Sequence, residues 1–112
     1  MKKGNGKSDK NLDFLIQLQD LIDKRKKEMP KGSYTTKLFK KGVNKIAKKL
    51  GEETIELIIE AKGKDDRLFK EEAADLLYHY LVLLTHKGYR IEDIVEVLGT
   101  RHVPREKEDI LV

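Results

Sequence analysis

Two stretches of this 112-residue chain decide its fold: VNKIAKKLGEETIELIIEA at residues 43–61 and LFKEEAADLLYHYLVLLTH at residues 68–86. In both, apolar residues recur at mixed intervals of three and four, which is the spacing of one face of an α-helix. A short loop containing Gly63 joins them, so we expect the two helices to pack antiparallel. No segment alternates between apolar and polar residues over a useful length, and the sequence therefore predicts an all-α fold.

The flanking segments complete a predicted bundle of four to five helices. A first helix is expected from Asp9 or Asn11 to about Glu28, where Met29-Pro30-Lys31-Gly32 ends it. The segment Ser33-Tyr34-Thr35-Thr36 that follows offers hydroxyl caps and predicts a short turn. A short amphipathic helix follows Gly88, which is suited to the position after a helix C-terminus. We expect residues 1–8 to form a flexible basic tail, residues 9–103 the domain and residues 104–112 a C-terminal tail.

Composition excludes several classes of protein. The net charge of +4 is unevenly distributed. Residues 1–50 contain 15 basic and 5 acidic residues, whereas residues 51–112 contain 9 basic and 15 acidic residues. There is no cysteine, so disulfides and thiolate sites do not arise. The apolar runs are too short to span a membrane, and the basic N-terminus leads into no apolar signal region. We expect a cytoplasmic protein that does not bind membranes.

The acidic residues of the two long helices lie where charge is costly. Glu52, Glu53, Glu56 and Glu60 form one stripe on the first helix, with apolar residues on both sides of it. The second helix is apolar around nearly its whole circumference, which predicts a central, buried helix, yet it carries Glu72 and Asp75. Buried carboxylates need a cation to balance them. Two i, i+3 pairs therefore predict a site for Mg²⁺ or Mn²⁺, with ordinary solvated helix surface as the alternative. The predicted metal ligands are Glu53, Glu56, Glu72 and Asp75.

Longer motifs resemble those of one enzyme family. They are Gly-Ser-Tyr-Thr at 32–35, Lys-Ile-Ala-x-Lys-x-Gly-Glu-Glu at 45–53, Glu-Ala-Ala-Asp-Leu-Leu-Tyr-His at 72–79, and Arg101-His102. Together they resemble the phosphoribosyl-ATP pyrophosphohydrolases of histidine biosynthesis, within the MazG-like all-α nucleotide pyrophosphohydrolases. The resemblance covers roughly residues 12–102. It implies a bundle completed by dimerisation, and Mg²⁺-dependent hydrolysis of phosphoribosyl-ATP to phosphoribosyl-AMP and pyrophosphate. It further implies a homodimer or higher homo-oligomer, here expected in the stand-alone form that is not fused to the next pathway enzyme.

The resemblance also implies roles for individual residues. Glu52 is expected to be an additional ligand or the base for water, with Glu53 as the other catalytic candidate. His79 either orients the Asp75 carboxylate or is a packed core histidine. For the phosphate-binding candidates, helix capping, helix-end charge and solubility remain as alternatives. These candidates are Ser33, Tyr34, Thr35, Lys37, Lys45, Lys49, Arg101 and His102.

Two other functions compete with this one. A house-cleaning pyrophosphohydrolase acting on ordinary or damaged nucleoside triphosphates would keep the metal chemistry and change the substrate. A non-catalytic module binding nucleic acid through the basic first half is the other candidate, because the pI is near 9.2. Against it, aromatic residues for base stacking make up only 6% of the chain. We therefore expect a small-molecule nucleotide and no nucleic acid as the partner.

Overall fold

The computed structural model describes residues 4–102, with side chains from Lys10 onward. It contains five α-helices and no strand within that range. They are α1 (Gly4–Glu28), α2 (Tyr34–Lys41), α3 (Val43–Ala61), α4 (Asp66–Lys87) and α5 (Ile91–Arg101). The predicted all-α class is therefore confirmed. The predicted tail at residues 104–112 lies outside the described residues.

Three helix starts differ from the sequence prediction, and in each case helical residues are added. Helix α1 begins at Gly4, inside the segment predicted to be a tail, because an existing helix extends by one hydrogen bond per added residue. The predicted short turn after Gly32 is the eight-residue helix α2, capped by the Ser33 hydroxyl, which accepts from the Thr36 N–H at 3.2 Å. Helix α4 begins two residues early because the Asp65 carboxylate caps it.

The C-terminus of α4 ends as the sequence predicts. Gly88 follows its last residue with φ 87°, in the left-handed region that costs glycine nothing. Its N–H and that of Tyr89 reach the carbonyls of Thr85 and Leu84 at 3.0 and 2.8 Å. These hydrogen bonds cap the C-terminus of α4, and the chain then turns towards α5.

The hydrophobic core lies where α1, α2 and α3 meet the C-terminal half of α4. Ile91 and Ile94 of α5 pack against its edge. Removing these side chains from water is the main force that assembles the helices. The buried apolar residues of the described chain are Ile22, Leu38, Phe39, Ile46, Leu81, Val82 and Leu84.

A buried glutamine fixes how α1, α4 and α5 meet. Gln19 is fully buried, and its amide nitrogen donates to the Thr85 hydroxyl and to the Tyr89 carbonyl, both at 3.0 Å. Its amide oxygen accepts from the Ile91 N–H at 2.7 Å. Arg90 adds charged contacts on the same side, to Asp20 at 2.8 Å and Asp23 at 2.6 Å. The start of α5 is thus attached to α1 by side chains rather than by a broad apolar interface.

The N-terminal half of α4 is less buried than predicted. Leu81 and Val82 are fully enclosed, whereas Phe69 and Leu77 are exposed. The prediction of a wholly buried helix is wrong for the single chain, because the described helices that pack against this half of α4 leave Phe69 and Leu77 in contact with solvent. Apolar side chains are also exposed along α1 and α3. Leu12 of α1 is 65% exposed and Ile55 of α3 is 61% exposed. No helix in the described range is long and apolar enough to cross a membrane.

Candidate metal and phosphate site

Three carboxylates from α3 and α4 converge between the two helices. One oxygen from each of Glu53, Glu56 and Glu72 lies within 4.8 Å of the others, and we call this group the carboxylate cluster. Its members come from an i, i+3 pair on α3 and one residue of the facing helix, which the antiparallel packing of α3 and α4 brings together. The convergence predicted from the sequence is therefore present for three of the four proposed ligands.

The cluster carries more negative charge than its surroundings balance. Glu53 is only 7% exposed, and its Oε1 and the Oε1 of Glu72 are buried without a hydrogen-bond partner. Burial, reinforced by the adjacent Glu56 and Glu53 carboxyls, raises the pKa of Glu72 from 4.5 to about 7. The Glu72 carboxyl is therefore partly protonated near neutral pH when no cation is bound.

The donor set fits a hard divalent cation. Mg²⁺ binds oxygen ligands at about 2.1 Å, so two ligands on opposite sides of it stand roughly 4.2 Å apart. The three oxygens all lie within 4.8 Å of one another, which is close enough for one ion to contact them after small side-chain rotations. A cation would also give the two orphaned oxygens a partner. Glu53, Glu56 and Glu72 are accordingly the residues that can hold one.

Asp75 lies outside this group. It follows Glu72 by one turn of α4, but it is exposed and is not among the three carboxylates that converge. Glu60, the last acidic residue of the α3 stripe, is half-buried and also stands apart from them. A role for Asp75 as a ligand stays a prediction.

Lys49 lies one turn before the cluster on α3. Its ammonium nitrogen is 3.7 Å from Glu52 Oε1 and 3.7 Å from Glu53 Oε2. The pKa of Lys49 is raised, chiefly by the Tyr34 phenol and further by Glu53 and Glu52. Lys49 therefore brings positive charge to the edge of the cluster, while Glu52 itself remains largely open to solvent.

The first turn of α2 is attached to α4 by two adjacent pairs of side chains. The Tyr34 hydroxyl lies 2.8 Å from Nε2 of His79, and the Thr35 hydroxyl is hydrogen-bonded to that of Tyr78. The other ring nitrogen of His79, Nδ1, lies 2.8 Å from the main-chain carbonyl of Asp75. His79 thus contacts the backbone of Asp75, whereas the sequence suggested its carboxylate. At 6% exposure it also satisfies the alternative expectation of a packed histidine.

The remaining phosphate candidates are spread over three helices. Ser33 caps α2, Lys37 is exposed one turn later, and Lys45 is half-buried one turn before Lys49. Arg101 is the exposed last residue of α5. His102 follows it and is half-buried, with its N–H on the Leu98 carbonyl at 3.1 Å. Phosphate binding by these residues stays a prediction.

Tyr78 makes contacts beside the site that the sequence interpretation did not identify. It packs against the hydrophobic core, its hydroxyl is hydrogen-bonded to that of Thr35, and its ring stands edge-on to that of His79 with the ring centres 5.5 Å apart. The sequence feature that could have indicated these contacts is the adjacent pair Tyr78-His79. Adjacent polar-tipped aromatics in an apolar helix need hydrogen-bond partners, and the hydroxyl-rich segment after Gly32 supplies them.

Comparison with known proteins gives one consistent result. Residues 15–102 match the family described as phosphoribosyl-ATP pyrophosphohydrolase. The chain is 45% identical over 91 residues to "Phosphoribosyl-ATP pyrophosphatase" of Leptospira biflexa, covering 81% of this chain and 99% of that protein.

Longer relatives are also similar. "Histidine biosynthesis bifunctional protein HisIE" of Bacteroides thetaiotaomicron is 58% identical over 97 residues, which is 86% of this chain and 47% of that protein. The protein of the same name from Halalkalibacterium halodurans is 48% identical over 106 residues, which is 95% of this chain and 50% of that protein. The chain therefore spans about half the length of these bifunctional relatives.

Proposed function

The chain belongs to the phosphoribosyl-ATP pyrophosphohydrolase family, and we propose that it hydrolyses phosphoribosyl-ATP to phosphoribosyl-AMP and pyrophosphate. This reaction is the second step of histidine biosynthesis. The observation that carries the proposal is the carboxylate cluster, with two buried oxygens that accept no hydrogen bond from any residue the structure describes. An acidic site of this kind suits a cation-bound polyphosphate and disfavours the polyanionic surface of a nucleic acid.

We assign Mg²⁺ to the cluster, with Mn²⁺ as a substitute. Glu53, Glu56 and Glu72 would hold it, and Asp75 is the fourth proposed ligand. When bound, the cation supplies charge neutralisation for the phosphoryl oxygens and lowers the pKa of a ligated water. Because its pKa is raised, Glu72 would have to lose its proton to hold the cation.

The chain's own groups then account for the remaining chemistry. Water adds to a phosphorus of the anhydride between the α- and β-phosphoryl groups, the bridging P–O bond breaks, and pyrophosphate departs. The proton of the water passes to a carboxylate, for which Glu52 and Glu53 are the candidates. Lys49, which lies 3.7 Å from Glu53, and Lys45 one turn before it would neutralise the phosphates of the substrate.

The assignment is tested by replacing carboxylates without changing their shape. Glu53→Gln and Asp75→Asn should abolish pyrophosphate release while helicity measured by circular dichroism stays intact. Glu71→Gln is the matched control, because Glu71 neighbours Glu72 on α4 but is exposed and paired with Arg67 at 2.9 Å. Full activity in both test variants would refute the metal assignment.

Substrate choice needs a separate assay. Phosphoribosyl-ATP and ATP are compared side by side with Mg²⁺ present, and phosphoribosyl-ATP should be cleaved far faster. Equal rates would favour the house-cleaning activity on ordinary nucleoside triphosphates, because such a substrate has no second ribose phosphate for the chain to recognise.

We also propose that a second copy of the chain covers the exposed apolar surface and completes the bundle. Leu12 and Leu15 border two apolar grooves of about 270 and 340 Å³, one towards α5 and one towards α4. Phe14 and Ile59 are also exposed, at 60% and 59%. Light scattering after gel filtration should give a dimer mass, and Phe14→Glu should reduce that mass to that of the monomer. Gln17→Glu, exposed on the same helix, is the control.

A further inference from the structure

Residues 29–51 contain seven lysines and no acidic residue. The segment forms α2 and the first half of α3, and neither helix has an acidic residue in its first turn. Within the part of the chain that the structure describes, Lys49 is the one lysine of this segment that forms a salt bridge. Lysines three and four positions apart on a helix repel each other, so this run does not stabilise the helices that carry it. It therefore needs another explanation.

The exposed face of α2 is basic along its whole length. Its inward-facing residues, Thr35, Thr36, Leu38 and Phe39, are buried. The other four residues of the helix are exposed, and they are Tyr34, Lys37, Lys40 and Lys41. On α3, Lys48 is exposed and Lys45 is half-buried. We call the following residues the basic surface: Lys37, Lys40, Lys41, Lys45 and Lys48.

The basic surface lies near the carboxylate cluster without forming salt bridges to its described members. Lys48 precedes Glu53 by five residues of α3, which is about 7.5 Å along a helix axis. The start of α2 is fixed by the 2.8 Å contact of Tyr34 with His79, a point about 10 Å along α4 from Glu72. The lysines of α2 follow within two further turns, so they stand roughly 10–20 Å from the cluster.

A polyphosphate that approaches the cluster meets charge of its own sign. Residues 51–112 carry 15 acidic and 9 basic residues, and Glu52, Glu56 and Asp75 are exposed near the cluster. Charges at 10–20 Å act on such an anion without touching it, because the Debye length is about 30 Å at 0.01 M salt and about 10 Å at 0.1 M. A surface of one sign raises the association rate of an oppositely charged ligand by about 10- to 1,000-fold.

We propose that the basic surface is an electrostatic guide for polyanionic phosphate compounds and their magnesium complexes, which reach the cluster from the α2 side. Its lysines raise the rate at which the anion arrives, and the cluster and Lys49 hold it afterwards. The guide acts on association and leaves the chemical step unchanged. The inference rests on the proposed function for the identity of the anion and on the placement of the charges for the rest.

The test removes three lysines of the basic surface that are not candidates for direct phosphate contact. At about 0.05 M salt, where the Debye length is about 14 Å, Lys40→Gln/Lys41→Gln/Lys48→Gln should lower kcat/KM for phosphoribosyl-ATP about tenfold and leave kcat unchanged. At about 0.5 M salt, where this length is about 4 Å, the loss should shrink to less than about twofold. A loss that persists at high salt would overturn the proposal.

Further variants at the same positions test whether charge alone is responsible. Lys40→Arg/Lys41→Arg/Lys48→Arg keeps the charge and should match the wild type. Lys40→Glu/Lys41→Glu/Lys48→Glu changes the charge by twice as much as glutamine does, so the loss at about 0.05 M salt should approach about a hundredfold. A loss in the arginine variant, or equal losses with glutamine and glutamate, would also overturn the proposal.

The matched control is Lys24→Gln/Lys27→Gln/Lys87→Gln, which removes the same charge from exposed positions farther from the cluster. Lys26, between two of these positions, donates to the Thr85 carbonyl at 3.0 Å, a point about 20 Å along α4 from Glu72. At about 0.05 M salt the control should lose no more than about twofold in kcat/KM. An equal loss in the control and in the glutamine variant of the basic surface would show that only net charge matters, and the proposal would fail.

Two readouts separate this proposal from the proposed function. If ATP is cleaved as fast as phosphoribosyl-ATP, the substrate assignment fails, but the same salt-dependent loss should appear with ATP. Calorimetry with Mg²⁺–pyrophosphate needs no turnover. Lys40→Gln/Lys41→Gln/Lys48→Gln should bind it about threefold more weakly than the wild type at about 0.05 M salt and equally at about 0.5 M, because slower arrival with unchanged departure weakens binding. Equal affinities at low salt would refute the guide even in a chain that cleaves phosphoribosyl-ATP.

Discussion

Gln19 offers the sharpest test of how the fold is held together. Its amide makes three hydrogen bonds, to Thr85, Tyr89 and Ile91, which lie 66 to 72 residues later in the chain. Gln19→Leu keeps nearly the same volume and removes all three. The Tyr89 carbonyl and the Ile91 N–H are then left without the hydrogen bond to Gln19, although both bonds lie in a partly buried region.

The magnitude follows from those three bonds. A hydrogen bond contributes about 1 kcal/mol net, and a buried group left without a partner costs about 1–3 kcal/mol. The leucine side chain recovers part of this loss through apolar burial. We expect a destabilisation of about 2–4 kcal/mol, a large fraction of the roughly 5–15 kcal/mol typical of a domain. This corresponds to a fall in Tm of at least about 10 °C.

The assay is urea unfolding followed by circular dichroism, at one protein concentration because self-association would make stability concentration-dependent. The midpoint should fall with an unchanged slope. Gln17→Leu is the matched control, because Gln17 is exposed on the same helix and should change stability by no more than about 0.5 kcal/mol. If Gln19→Leu is as stable as Gln17→Leu, the amide does not hold α5 against α1 and the reasoning fails.

Three further predictions concern the site and the helix ends. The pKa of Glu72 is raised from 4.5 to about 7 by folding, so the folded chain binds this proton more tightly than the unfolded one. The metal-free stability of the wild type, measured relative to Glu72→Gln, should therefore fall as pH rises through that interval and level off above it. Excess Mg²⁺ should remove this fall, and parallel pH curves for the two chains would contradict it. Gly88→Ala should destabilise the chain by about 1 kcal/mol in thermal unfolding, because Gly88 has φ +87°. Gly51 lies in the middle of α3, and a Cβ added there would meet no atom within 4 Å, so Gly51→Ala should stabilise the folded chain by about 0.5–1 kcal/mol. Equal changes in stability at the two glycines would show that the backbone conformation of Gly88 is not the cause. Arg90→Met should lower stability by about 1–2 kcal/mol, less at high salt, since it removes the charged contacts to Asp20 and Asp23; a salt-independent loss would point to packing instead.

Local spacing was enough to predict the helices that carry the site. The bounds of α3 are those expected, and α4 extends the prediction by two residues at the start and one at the end. The carboxylates Glu53 and Glu56 could be placed on one face because i, i+3 positions of a helix always share a face. The charge imbalance at the cluster was also visible, since Glu72 stands in a strongly apolar helix.

Two features depended on contacts between residues distant in the chain. Asp75 has the same i, i+3 relation to Glu72 that Glu56 has to Glu53, yet it does not join the converging carboxylates, because the rotation of α4 against α3 decides which carboxylate faces the gap. His79 could not be assigned a partner from helix geometry, which offered only neighbours on α4. Its Nε2 meets Tyr34, 45 residues earlier.

The sequence by itself thus determined the all-α class, the two long helices and the acidic stripe between them, because each follows from the 3.6-residue period. Only the tertiary structure decided which three carboxylates converge and which phenol meets His79. Those contacts depend on the relative rotation and docking of separate helices, which is set by the shapes packed around Ile46 and Leu81 and not by spacing along the chain.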